Sequence, residues 1–194
     1  CHPSMANNEI SGIVVTTALA KMILEIKDRR YTYRIIFIPE TIGAVAYLSL
    51  HHKKMKLKTV AGFVVTCVGD DNNYSFLPSR LGNTYTDEAA LYALNNYCSK
   101  GFNKYSFLER GSDERQFCSP LIDLPVVSIM RSKYGTFPEY HTSLDNLDFI
   151  SKEGLLGGYS ILSQTINLIE KNLVYKPVIY CEPQLGKRNL YNVG

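Results

Sequence analysis

The chain has 194 residues, 45% of them hydrophobic and 20% charged, with a net charge of +3. Those are ordinary values for one globular domain able to bury a core. They argue against nucleic acid as a partner, since the longest basic run is HHKKMKLK at 51–58, and no apolar run reaches the roughly 18 residues a membrane helix needs.

The first element is a helix from Ile10 to about Lys27, where Ile13, Val14, Ala18, Met22 and Ile23 recur at helical spacing. Asn7 or Asn8 supplies its N-cap, and Glu9 suits the positive first turn. YTYRIIFIP at 31–39 is β-branched and alternating, which predicts a strand stopped by Pro39. TIGAVAYLSLHH at 41–52 follows as a helix. AGFVVTCVG at 61–69 is a continuous apolar run, the pattern of a strand buried on both faces. DDNNYSFLPSRLGN at 70–83 is a polar loop. The next helix is capped by Thr86, has Asp87 and Glu88 in its first turn, and stops at Gly101. Strands are predicted at 104–109 and 124–131, a long loop at 132–148 and a helix over 150–172, whose GLLGG is a flexible helix start. KPVIYCEP at 176–183 is a last strand or an extended tail.

Strands alternating with helices predict an α/β layered domain with a largely parallel sheet. In such sheets function gathers in the loops beyond the strand ends. Those loops carry His2, Asn8, Glu40, Asp70, Asp71, Asp113, Glu114, His141 and Asp145. Imidazoles and carboxylates are what a catalytic zinc with an open position takes as ligands, and a nearby carboxylate can act as general base. No HExxH motif is present, so ligands have to come from separate loops. Each residue also has a plainer reading. Asn8 caps a helix, Asp70 and Asp71 make turns, and Asp113 and Glu114 form a solvated turn with Arg115. Tyr134, Phe137 and Tyr140 beside His141 either line a substrate pocket or pack a rim. Cys1 beside His2 invites a thiol nucleophile, for which nothing else in the sequence speaks. The five cysteines are scattered without a CxxC pair, which predicts reduced thiols and a cytoplasmic protein. No basic-then-apolar leader opens the chain.

Five blocks in order, CHPSMANNEISG, FIPETIGAVAYLS, GDD with SFLPSRLG, GSDERQFCSPLIDLPVVSIMR and YGTFPEYHTSLDNL, together resemble a bacterial family of uncharacterised aminopeptidase-like proteins often associated with polysaccharide biosynthesis. The family is distantly related to zinc aminopeptidases and glutaminyl cyclase. The resemblance implies a three-layer α/β/α sandwich with a mixed, mostly parallel sheet of about eight strands. It implies that residues 1–181 form the aminopeptidase-like domain, lacking an N-terminal part that includes a strand running into Cys1. It also implies that 182–194 form a tail toward a winged-helix domain.

By the same resemblance His2 is the first metal ligand, position 8 the aspartate that bridges two ions, Glu40 the general base and His141 the last ligand, with Asp145 able to orient a ligand histidine. The sequence departs from that pattern. Asn stands at 8 and Thr at 41, where two-metal enzymes have a second glutamate, and the remaining ligand aspartate falls nearest Thr66. One zinc is therefore expected, on His2, His141 and the Asn8 oxygen. The implied activity is hydrolysis of an aminoacyl or related amide bond in a small peptide-like substrate, with Asp113 or Glu114 receiving its amine. Asp70, Asp113, Glu114, Tyr140 and Asp145 are the expected substrate or supporting residues. Asn8 and Thr41 also favour an alternative, a catalytically silent module of the same fold that binds a peptide or sugar. A regulator acting through the winged-helix neighbour is a third.

Overall fold

The computed structural model describes residues 2, 4–173, 176–178 and 180–191. Four strands, β1 (Gly62–Val64), β2 (Tyr74–Leu77), β3 (Phe102–Lys104) and β4 (Val126–Met130), form one sheet in the order β1-β4-β2-β3. β1 runs parallel to β4, and β3 parallel to β2, but β2 is antiparallel to β4. The sheet is therefore mixed. Helices α1 (Ser11–Glu25), α2 (Ile42–Lys58), α3 (Tyr85–Tyr97), α4 (Glu114–Phe117) and α5 (Lys152–Lys171) cover it.

Every residue of β4 is buried, so it reads as a continuous apolar run and forms the spine of the sheet. Val127 and Ile129 face a core made with Val15, Leu19 and Ile23 of α1, Ala90, Ala93 and Leu94 of α3, and Ile161, Leu162 and Ile166 of α5. On the opposite face Val126 packs with Ala44 and Leu48 of α2 and Phe117 of α4. Met130 joins Leu77, Tyr134 and Phe137 there. This alternation along one strand makes three layers. Each of the fully buried side chains Phe76, Leu94, Ile129 and Leu162 contributes roughly 1.5–3 kcal/mol.

Several expectations are corrected. The segment 31–39 is extended but belongs to no strand, because no described strand lies beside it to complete a ladder. It is anchored instead by Glu170, which accepts from the Tyr33 hydroxyl at 2.7 Å and the Arg30 N–H at 2.9 Å. The ladder at 61–69 is only the three residues of β1, half-buried because one edge faces a cavity. The supposed loop 70–83 contains β2, hidden in the sequence by its four-residue length between Asn73 and Pro78. Helix α2 continues to Lys58. Helix α3 is capped by Thr84 in a capping box with Asp87; Thr86 lies inside the helix and donates to Pro125 O. The strand predicted at 104–109 is β3 followed by a 3₁₀ turn at Phe107–Glu109. In KPVIYCEP no described residue is in a strand, and Ile179, like Cys1, lies outside the described residues.

Candidate functional site

The chain enters α1 through a π-helical turn, Ala6–Ile10. Its Ile10 N–H donates to Met5 O at 3.1 Å, five residues back. The turn has no side-chain cap of its own. Neither Asn7 nor Asn8 is the cap, because both lie within the turn and are buried. The orphan amides of the helix end are satisfied from the far loop. Asp145 Oδ1 accepts from Asn7 N at 2.6 Å, Asp145 Oδ2 from Asn8 N at 3.0 Å, and Asp145 O from Ala6 N at 3.0 Å. This contact draws the 141–145 loop onto the 2–10 segment.

It also brings the two histidines together. The rings of His2 and His141 have centroids 4.1 Å apart and are tilted 35°. Tyr140 stacks on the other side of His141 at 3.8 Å and 18°. Burial pushes the Tyr140 phenol up to about 12, so it stays a hydrogen-bond donor across the neutral range. His141 has φ 58, a left-handed backbone that fixes where its ring departs from the loop. Glu9 Oε1 lies 3.4 Å from His2 Nδ1.

Asn8 is 8% exposed. Its side-chain oxygen meets the Cys67 thiol at 3.7 Å, and its carbonyl accepts from Thr66 Oγ1 at 2.6 Å. Cys67 is wholly buried with φ 51, and burial pushes its thiol far up. A neutral amide and a protonated thiol therefore meet at this strand end.

Glu40 and Thr41 form a sharp corner. Thr41 has φ 62 and ψ −67, and Ile42 N–H donates to Glu40 O at 2.7 Å, which defines the rare and strained form of the γ-turn. Thr41 N–H points away from α2 and donates to Asp113 Oδ1 at 2.8 Å. Arg115 Nη2 stands 3.8 Å from Glu40 Oε1 and 3.2 Å from Thr41 Oγ1. Burial raises the Asp113 carboxyl, against the lowering effect of the Thr41 N–H.

Asp70 and Glu114 are both fully buried and fully engaged. Asp70 accepts from Asn7 Nδ2 at 3.0 Å, Ser132 N at 3.0 Å, Ser132 Oγ at 2.8 Å and Asn72 N at 3.0 Å. Glu114 accepts from Tyr134 Oη at 2.6 Å, Gly111 N at 2.9 Å and Ser112 N at 3.0 Å. Both tie loops together and leave no face for a substrate.

Asn8, Glu9, Glu40, Asp113 and Tyr140 line one end of a cavity of about 830 Å³. The cavity continues between β1 and the extended segment 31–38, over Leu19, Ile23, Leu162 and Ile166. Among the described residues no three His, Cys, Asp or Glu side chains are grouped to hold a metal ion. The donor set is two imidazoles and a neutral amide oxygen. By their chemistry, imidazoles are ligands that a single zinc takes, and this set lacks the carboxylates that a pair of ions needs.

The three layers and the mixed sheet, with a cleft beside β1, define a three-layer α/β protein. The family model described as "Domain of unknown function (DUF4910)" matches residues 1–172, and the chain belongs to this family. A Clostridium acetobutylicum protein named "Putative polysaccharide biosynthesis protein with aminopeptidase-like domain" is 42% identical over 194 residues, all of this chain and 44% of that protein. The crystal structure of a "putative peptidase" from Clostridium acetobutylicum matches with a TM-score of 0.87 at 42% identity, over 97% of this chain and 44% of that one. A zinc aminopeptidase from Bacillus subtilis shares the fold, with a TM-score of 0.71 at 20% identity over 87% of this chain and 43% of that one. The chain thus spans under half the length of these proteins. No helix among the described residues is long and apolar enough to cross a membrane.

Glu9 and Cys67 are the site residues that sequence reading passes over. Glu9 reads as a first-turn acid, and Cys67 is concealed in an apolar run.

Proposed function

We propose that this chain is part of a zinc-dependent aminopeptidase-like hydrolase that cleaves an aminoacyl or related amide bond. The supporting observation is the meeting of His2 and His141, far apart in sequence, next to Glu9 and Tyr140, which line the same cleft as Glu40. His2 and His141 would hold one ion, with Asn8 as a weak neutral contact. Zinc, when bound, supplies Lewis-acid polarisation of a carbonyl and lowers the pKa of water. Glu40, steadied by Arg115 at 3.8 Å, accepts the proton of the attacking water. The Tyr140 hydroxyl, still protonated at neutral pH, donates a hydrogen bond to the developing oxyanion. Asp113 receives the substrate amine, since Glu114 is occupied by its own hydrogen bonds.

A second reading is supported by the Asn8–Cys67 contact, which places neutral groups at the strand end. On that reading the domain is a catalytically silent binder of a peptide or sugar. Metal analysis of protein purified without chelator, before and after zinc soaking, separates the two. The hydrolase reading expects close to one ion per chain and turnover of an aminoacyl anilide; no retained zinc in either sample refutes it. An Asn8→Asp variant restores a charge worth about 4 kcal/mol at 4 Å and an effective dielectric near 20. It is expected to tighten zinc binding by at least about 100-fold by isothermal titration.

We propose further that residues 1–181 are one unit of a longer, cytoplasmic protein. Free thiols at Cys67, Cys98, Cys118 and Cys181 support the location. The cavity between β1 and 31–38 supports an additional strand from sequence preceding Cys1. Residues 182–194 would then lead to another domain.

A further inference from the structure

Imidazole has two unlike nitrogens, and whichever one is hydrogen-bonded to an acceptor carries the proton. His2 presents Nδ1 to the Glu9 carboxylate at 3.4 Å, and its ring lies against that of His141. We propose that Glu9 is a positioning residue that holds His2 in the Nδ1–H tautomer, leaving Nε2 as the nitrogen with the lone pair.

The plainer role for Glu9 is to complement the positive end of α1. That role is already filled, because Asp145 accepts from the Asn7 and Asn8 amides and receives Ala6 N–H on its carbonyl. The same contacts remove Asp145 as the partner of a histidine, since each carboxylate oxygen is directed at backbone. The π-helical turn supplies the geometry. Its wider turn, with Ile10 N–H reaching back to Met5 O, brings Glu9 over the segment that holds His2, seven residues earlier. The pair is only partly exposed, at 34% for the His2 side chain and 27% for that of Glu9. Water therefore competes for the contact without swamping it. A carboxylate behind a ligand histidine is a recurrent device in metal sites, because it fixes both tautomer and ring orientation. Here it places a negative charge one residue after the neutral Asn8. The use of Nε2 as a zinc ligand rests on the function proposed above; the tautomer does not.

The experiment uses the full-length protein with ¹⁵N-labelled histidine, metal-free, at about pH 8. His2 is identified by loss of its signals in His2→Ala. Wild type is expected to show His2 protonated on Nδ1. Glu9→Ala is expected to move the proton largely to Nε2, the preference of a histidine side chain in water, and Glu9→Gln, which keeps an acceptor, to restore Nδ1–H in part. Wild-type protein already protonated on Nε2, or one tautomer shared by wild type and Glu9→Ala, overturns the proposal. Titration of the same proteins with zinc alone is expected to show a 10–100-fold loss of affinity in Glu9→Ala. If wild type takes up no zinc, the metal reading falls, and the tautomer result still judges Glu9.

Discussion

Asp145 is the joint on which the site depends, and its removal gives a calculable loss. In Asp145→Ala the Asn7 and Asn8 amides lose their acceptors inside the protein, where Asn7 is 0% and Asn8 8% exposed. A buried unsatisfied donor costs about 1–3 kcal/mol, so two of them cost about 2–6 kcal/mol. With a urea slope of roughly 2 kcal/mol per molar, the unfolding midpoint falls by about 1–3 M. Asp145→Asn keeps one acceptor but turns an N–H toward one amide, so it should recover only part of the loss. Asp148→Asn, on the exposed side of the same loop, is the control and should stay within about 0.5 kcal/mol. A loss below about 1 kcal/mol in Asp145→Ala would refute the reasoning. It would mean that water reaches the π-helical turn, and that the loop is not what brings His141 to His2.

Two further outcomes follow from the packing and the charges. At Gly154 a methyl group would collide with the Gly69 carbonyl; Gly154→Ala should therefore cost about 1–3 kcal/mol in urea unfolding, whereas helix propensity alone predicts a gain of up to about 1 kcal/mol, so the sign of the change decides. Burial raises the Asp113 carboxyl above its ordinary 3.8, so the folded state binds the extra proton; its contribution to stability is present below 3.8 and declines as pH rises toward the raised value, a decline that Asp113→Asn should abolish, and matching pH slopes in the two proteins would count against this.

The sequence discloses whatever follows from local periodicity. Helices α1, α3 and α5 show apolar residues at helical spacing, and β4 shows an unbroken apolar run, so all four are visible in the residues. The layered α/β architecture follows from their alternation. The approach of His2 to His141 does not, since nothing local relates residues so far apart in the sequence. It came from resemblance, and the structure supplies its cause in the Asp145 cap. Asn7 and Asn8 look like caps because their side chains usually serve as such, but an acceptor from a distant loop displaced them. Strand β2 was concealed because a four-residue strand between Asn73 and Pro78 carries too little pattern. Segment 31–39 shows the converse: its β-branched residues dictate an extended backbone, but a strand also requires a neighbour. Gly154 reads as looseness in a helix when it is in fact the point of closest approach to the loop after β1.

Strand β1 has β4 on one side and the cavity on the other. Among the described residues no strand pairs with that second margin, which is a template for a stretched polypeptide, including another molecule of the same kind. Heating the 194-residue polypeptide by itself would bring intermolecular pairing at that margin before the fold reached equilibrium with its denatured state. A melting temperature would then record a rate of precipitation, and its value would change with scan speed and concentration.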